Sequence, residues 1–204
     1  MNLEHKNIVF DFGNVLVRWE RETLFEGYFK TEEEKRFFLD VVVGPEWNKE
    51  FDRGRPVELL LKEIATKHPD YLAAATKYIN EWQKMVPGEV PGMRELVVSL
   101  KNDGYHRVFG LSNYSPFTFS ETRKRLPVLQ LIDDYVISGE CGFVKPEISI
   151  YLYFLRKFGL KSETCVFIDD SPANLDIAQR LGMDTILFNK DKFFKEIVTT
   201  KNND

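Results

Sequence analysis

One phrase recurs along this chain and narrows its fold more than any other: a short unbroken apolar run that stops on a polar or acidic residue. Ile8-Val9-Phe10 runs into Asp11, Val108-Phe109-Gly110-Leu111 into Ser112-Asn113, and Cys165-Val166-Phe167-Ile168 into Asp169-Asp170. Thr185-Ile186-Leu187-Phe188 ends at Asn189, and Asp134-Tyr135-Val136-Ile137-Ser138 is a weaker instance. Apolar runs without alternation suit strands covered on both faces of a parallel sheet. Helical patterning lies between them. Pro91 starts and Gly104 ends one segment, with Met93, Leu96, Val97 and Leu100 at helical spacing. Ser115-Pro116 and Ser171-Pro172 each pair an N-cap residue with proline at the first helical position. Residues 148–158 set Ile148, Tyr151, Leu152, Leu155 and Phe158 on one predicted face, with Gly159 after them. Strand and helix in alternation predict an α/β fold, a doubly wound parallel sheet.

Residues 18–90 interrupt that rhythm. Thr31-Glu32-Glu33-Glu34 reads as a capping box ahead of Phe37, Phe38, Val41 and Val42. Pro56 opens a helix with Leu60 and Ile64, and Asp70 reads as the cap of another that carries Leu72, Tyr78, Ile79 and Trp82. Such a stretch is too long for a loop. It predicts a helical insert over 18–90, with a core built from 1–17 and 91–204. The tail Lys201–Asp204 reads as disordered.

Composition excludes several classes. The 204 residues carry a formal charge of −4, and the 28 lysines and arginines are dispersed, which argues against nucleic acid as a partner. No apolar run has the length of a membrane span, and the first residues do not resemble a signal peptide. Cys141 and Cys165 stand in apolar context and suggest no disulfide framework. His5, His68 and His106 are scattered, without metal-ligand spacing. The expectation is a soluble, cytoplasmic protein whose oligomeric state is not legible.

In a parallel sheet the carboxyl ends of all strands share one edge, where ligands bind. That edge receives Asp11, Ser112 with Asn113, Lys145 just after the fifth run, and Asp169 with Asp170. Singly, each has a plainer reading, as a turn residue, a helix cap, a solvated lysine or an anion pair at a helix start. Together, and in this order, Phe10-Asp11-Phe12-Gly13-Asn14-Val15, Leu111-Ser112-Asn113, Lys145-Pro146 and Ile168-Asp169-Asp170-Ser171-Pro172-Ala173-Asn174 resemble the haloacid dehalogenase superfamily over essentially the whole chain. That family is mostly phosphatases, with a Rossmann-like core and a helical cap where residues 18–90 fall.

The resemblance implies an Mg²⁺-dependent phosphohydrolase acting on a small phosphorylated metabolite. Asp11 would be the nucleophile, forming a phospho-aspartate. Asp11, Asp170 and the carbonyl of Gly13 would hold the metal, with Asp169 acting through a metal-bound water. Ser112, Asn113, Lys145 and the backbone N–H groups of Phe12 and Gly13 would bind the phosphoryl group. Asn174 would brace the acidic loop. The charges make sense on their own, since a cation and Lys145 balance three carboxylates against a dianionic ester.

Gly13 is the departure. Two residues after the nucleophile, most phosphatases of this family carry a second aspartate that gives and takes the proton. The Gly-Asn form resembles a branch of sugar-phosphate phosphatases. Proton transfer would then come from metal-bound water, from the substrate, or from the cap, where Glu50, Asp52, Arg53 and Arg55 lie in what reads as a polar loop. Without such help, rates should depend steeply on the leaving group. Two alternatives stand beside this reading: haloacid dehalogenation, in which halide leaves without a proton, and a non-catalytic metal-binding domain acting through a partner.

Overall fold

The structure, a computed structural model, describes residues 6–190 and Phe193; His5 and the tail Lys201–Asp204 lie outside them. Five strands form one parallel sheet: β1 (Asn7–Phe10), β2 (Arg107–Ser112), β3 (Asp134–Ile137), β4 (Cys165–Asp169) and β5 (Asp184–Leu187). The spatial order is β3-β2-β1-β4-β5, so the winding reverses beside β1. Ile8 pairs with Val108 on one side and Val166 on the other, which aligns the three central strands. Their carboxyl ends lie at one edge, β4 running one residue and β2 two residues beyond the register of Phe10, and a cleft opens there at the reversal point.

Successive side chains of a strand alternate between faces, which explains why the strands read as continuously apolar. Ile8, Phe10, Val108 and Ile168 pack to one side with α5 (Met93–Asn102), α6 (Pro116–Arg125) and α7 (Pro127–Gln130). Val9, Phe109, Leu111 and Phe167 pack to the other with α9 (Ile148–Phe158) and α10 (Pro172–Arg180). Gly110 lets Phe12 fold back onto β2, because a Cβ there would stand 2.2 Å from the Phe12 ring. The doubly wound α/β architecture is therefore as expected.

Between β1 and α5 the chain is helical, through α1 (Glu32–Phe37), α2 (Pro45–Asp52), α3 (Val57–Lys67) and α4 (Leu72–Asn80). Its outgoing and returning passages lie side by side. Arg18 N–H donates to Gly88 O at 2.9 Å, and Val90 N–H to Leu16 O at 2.9 Å. No break in the core separates this segment from the sheet, for Phe25, Phe38, Tyr78 and Trp82 are buried in the same apolar cluster as Ile8 and Phe10. Among the described residues no helix is long and apolar enough to cross a membrane.

Several local expectations change. Thr31 Oγ1 accepts from Glu34 N–H as a capping box requires, but the Glu34 carboxylate reaches Lys30 N–H rather than that of Thr31. The chain then widens into a π-turn over Phe38–Val42, rotating Phe38, Leu39 and Val42 inward and leaving Phe37 and Val41 exposed. Asp70 caps nothing: it lies in a 3₁₀ turn, Pro69–Tyr71, and Trp82 lies in another. On α9 the buried face is Ile150, Tyr151 and Phe154, whereas Ile148 and Leu152 are exposed. Ser115 and Ser171 occupy N-cap positions without donating or accepting a side-chain cap bond. The polar stretch 47–55 is no loop, since α2 runs through it to Asp52. Pro45 at the first helical position and Trp47 and Phe51 at i, i+4 carry that signal.

Candidate active site

Asp11 follows β1 directly, and its N–H donates to Ile168 O at 2.9 Å, so the sheet ladder itself holds it. Ser112 ends β2 and Asp169 ends β4. Lys145 arrives on the segment between α8 (Ser138–Cys141) and α9. Its buried ammonium donates to Asp11 Oδ1 at 2.8 Å and to Asp169 Oδ2 at 2.7 Å. The four expected contributors thus meet at one edge.

Asp169 is fully buried and saturated with donors. Its Oδ1 accepts from Ser171 N–H at 2.8 Å and from the Asn174 amide at 3.0 Å; its Oδ2 accepts from Lys145 and again from Asn174. Asn174 is fixed in turn, its carbonyl accepting from the Tyr151 hydroxyl at 2.9 Å. Asn113 lines the cavity and also holds Lys145. Its Oδ1 accepts from Lys145 N–H at 2.7 Å and its Nδ2 donates to Lys145 O at 3.0 Å, fastening the lysine's backbone to the end of β2. The Ser112 hydroxyl hydrogen-bonds the Asp11 carboxylate. Phe12 N–H donates to Asp11 Oδ1 at 2.7 Å, while the Phe12 ring turns away and stacks on Phe119.

Carboxylate oxygens of Asp11, Asp169 and Asp170 lie within 4.8 Å of one another. Such crowding has an electrostatic signature. Burial pushes Asp11 up to about 6; Lys145 opposes the rise and the charge of Asp169 adds to it. Asp170, more open to solvent, is also raised, by desolvation and then by Asp169. Burial alone would lower Lys145, but the charges of Asp11 and Asp169 outweigh it and hold the ammonium above its ordinary range. The ammonium bonds two of the three carboxylates, Asp170 stands beside them without an ion pair to it, and Asp11 and Asp170 both resist ionisation. That set fits a hard divalent cation such as Mg²⁺.

Two residues of this site carried little signal in the sequence. Asn14, among the described residues, is the one non-glycine with positive φ, 56°. Asparagine tolerates that conformation. There its Oδ1 accepts from Trp19 N–H at 3.2 Å and its amide hydrogen-bonds Asp170. Asp52, at the end of α2, joins Asp11, Gly13, Ser112, Lys145 and Asp170 around a cavity of about 250 Å³. Val17, Trp19, Trp82, Val86 and Tyr114 form its apolar wall. Burial, and then the charge of Asp11, push Asp52 up to about 7, and Ser115 N–H hydrogen-bonds its carboxylate.

The other candidates of that stretch point elsewhere. Arg53 grips Glu147 at 2.6 and 3.1 Å and Gly142 O at 2.8 Å. Arg55 pairs with Glu63. Glu50 bonds Arg53 and, with Arg55, faces a separate hollow beside Trp47.

Comparison with known proteins bears on the family and the fold. The chain is 26% identical over 194 residues to a drimenol cyclase of Aspergillus calidoustus, covering 90% of the chain and 34% of the cyclase. A glyceraldehyde 3-phosphate phosphatase of Methanothermobacter thermautotrophicus is 35% identical over 103 residues, half of this chain and 45% of the relative. The chain therefore spans less than half the length of these two. A D-ribitol-5-phosphate phosphatase of Bacteroides thetaiotaomicron aligns at 25% identity over 88% of this chain and 90% of its own length. Among solved structures, a predicted HAD-like hydrolase from Porphyromonas gingivalis superposes with a TM-score of 0.73 at 24% identity, covering 98% of each chain. A HAD family enzyme from B. thetaiotaomicron, bearing an Asp-to-Ala mutation and crystallised with magnesium and inorganic phosphate, gives 0.71 at 20% identity over 91% of this chain and 95% of its own. These two likenesses show the fold. A family model described as haloacid dehalogenase-like hydrolase matches residues 5–182, and the chain belongs to that hydrolase family.

Proposed function

We propose that the chain is an Mg²⁺-dependent phosphohydrolase that removes phosphate from a small phosphorylated metabolite through a phospho-Asp11 intermediate. One observation carries this reading: a buried ammonium bridges the Asp11 and Asp169 carboxylates, and Asp11, Lys145 and Asp170 line one small cavity. Asp11, Asp170 and the Gly13 carbonyl would hold Mg²⁺, which when bound offsets the charge of the carboxylates and of the ester. Asp11 Oδ then attacks phosphorus; the Ser112 hydroxyl and Lys145 ammonium that now engage it become donors to the equatorial phosphoryl oxygens. Asp169 keeps Lys145 charged and aimed, which makes it a positioning residue in this proposal, along with Asn113 and Asn174.

The cavity suits a small substrate. About 250 Å³ falls below the roughly 300–1,000 Å³ of sites for drug-sized ligands. Phosphate and a short carbon chain or single sugar fill such a space, in keeping with relatives named for glyceraldehyde 3-phosphate and D-ribitol 5-phosphate.

A panel of phosphorylated metabolites, read as phosphate release with Mg²⁺ and with a chelator, tests the proposal. Release that stops on chelation and is abolished by Asp11→Asn is the expected outcome. Halide release from a haloacid would move the chain to the dehalogenases. Tight metal binding without turnover of any ester would leave a binding domain.

A further inference from the structure

We propose that Asp52, carried on α2 from the helical insert, is the general acid and base that this site lacks at Gly13. The inference rests on the phosphohydrolase reading above and adds a residue to it. An in-line displacement drives the leaving oxygen away from the attacking Asp11. Asp11 enters the cavity from the sheet edge, and Asp52 lines the same cavity from the insert. Of the four ionisable residues between Glu50 and Arg55, Asp52 is the one that lines it; Glu50, Arg53 and Arg55 are engaged with Arg53, Glu147 and Glu63.

Asp52 is also held in register with the core from three directions. Its carbonyl accepts from Ser138 Oγ at 2.6 Å, and that same oxygen accepts from Tyr114 N–H at 2.9 Å, at the turn that follows Ser112. Arg53 clamps Glu147, two residues past Lys145. Gly54 comes so close to Gly139 that a Cβ would stand 2.7 Å from its carbonyl oxygen. A carboxyl group on an ordinary solvated loop has no such fixation. The place of Asp52 in the wall of the cavity that Asp11 enters from the sheet edge is where a carboxyl group can exchange a proton with the leaving oxygen.

The chemistry balances. The Asp52 carboxyl gives its proton to the leaving oxygen as the bond from Asp11 to phosphorus forms and the ester P–O bond breaks. The resulting Asp52 carboxylate takes a proton from water as the water oxygen bonds to phosphorus and the phospho-Asp11 bond breaks. Asp11 returns as carboxylate, Asp52 as carboxylic acid, and phosphate leaves. The steep leaving-group dependence expected from Gly13 alone is thereby replaced by a shallow one.

The test compares phenyl phosphate with p-nitrophenyl phosphate, whose leaving group needs no acid. Wild-type protein should cleave the two with similar kcat/KM. Asp52→Asn should lose about 10²–10⁴-fold on phenyl phosphate and far less on the nitrophenyl ester. With the latter it should release a burst of one nitrophenolate per enzyme, because phospho-Asp11 forms without the acid and then waits for the base. Gly13→Asp in the Asp52→Asn background should restore phenyl phosphate cleavage. Equal losses on both esters without a burst, or wild-type rates in Asp52→Asn, would overturn the assignment. If Asp52→Asn does not fold, the wild-type comparison decides alone, and a steep preference for the nitrophenyl ester defeats it. Release of phosphate by wild-type protein from neither aryl ester nor any member of the metabolite panel would instead remove the phosphohydrolase reading itself.

Discussion

Gly13 has room for the aspartate it lacks. A Cβ there meets no heavy atom within 4 Å, and its φ is not left-handed, so neither space nor backbone demands glycine. The missing side chain is thus a chemical difference rather than a packing necessity, and the partner that answers it is Asp52. A carboxyl group raised to about 7 has a stability cost with a definite sign. Below about pH 3.8, the ordinary value, Asp52 is protonated in both folded and unfolded chains. Between that point and about 7 the unfolded chain ionises and the folded one does not, so stability falls as pH rises, and the full cost persists above 7. Asp52→Asn should therefore raise Tm more at pH 8 than at pH 5, measured by thermal melts in chelator; an equal gain at both would contradict the raised carboxyl group. Of the site, Asp11, Ser112, Lys145, Asp169 and Asp170 were legible because each interrupts or follows an apolar run. Asp52 was one name among four, since its environment is made by Ser115, Ser138 and Asp11, far from it in sequence.

At the scale of elements, the end of α2 and the segment Gly142–Glu147 form one unit. Arg53 joins them through a two-pronged bond to Glu147, and Asn113 fastens Lys145 to β2. Partly exposed ion pairs contribute on the order of 1 kcal/mol even in good geometry. Arg53→Ala should cost about that much stability in denaturant titration. Its kcat should fall further, by about 10²-fold, because Asp52 and Lys145 lose their common register. Arg53→Lys keeps the charge but not the fork and should recover only part of the rate. A loss confined to stability would show that the clamp does not position the site. The five strands could be placed from sequence because continuous burial leaves a simple pattern. The insert's helices were placed less well. The π-turn at Phe38–Val42 shifts the buried face by a fraction of a turn, and overall polarity disguised α2 as a loop.

Over the whole molecule, one apolar cluster runs from β1 and α5 through Phe25, Phe38, Tyr78 and Trp82 of the insert. A shared core predicts shared cooperativity. Phe38→Ala, which empties a fully buried site, should cost about 3–5 kcal/mol. Unfolding should stay a single transition, with amides of α3 and of β2 losing hydrogen-exchange protection together; two separate transitions would show that insert and sheet are independent. The sequence by itself determined the parallel sheet, the insertion of a helical segment after β1, and the acidic edge. Those features are written in short-range apolar patterns and in residues that follow strands. Tertiary structure alone decided that Asn113 and Asp169 hold Lys145, and that Asp52 shares a cavity with Asp11. Such choices depend on where distant segments dock, and no local pattern encodes the distance between α2 and the end of β1. Gly13 could be read as an absence from the chain, but what answers it could be found only in the fold.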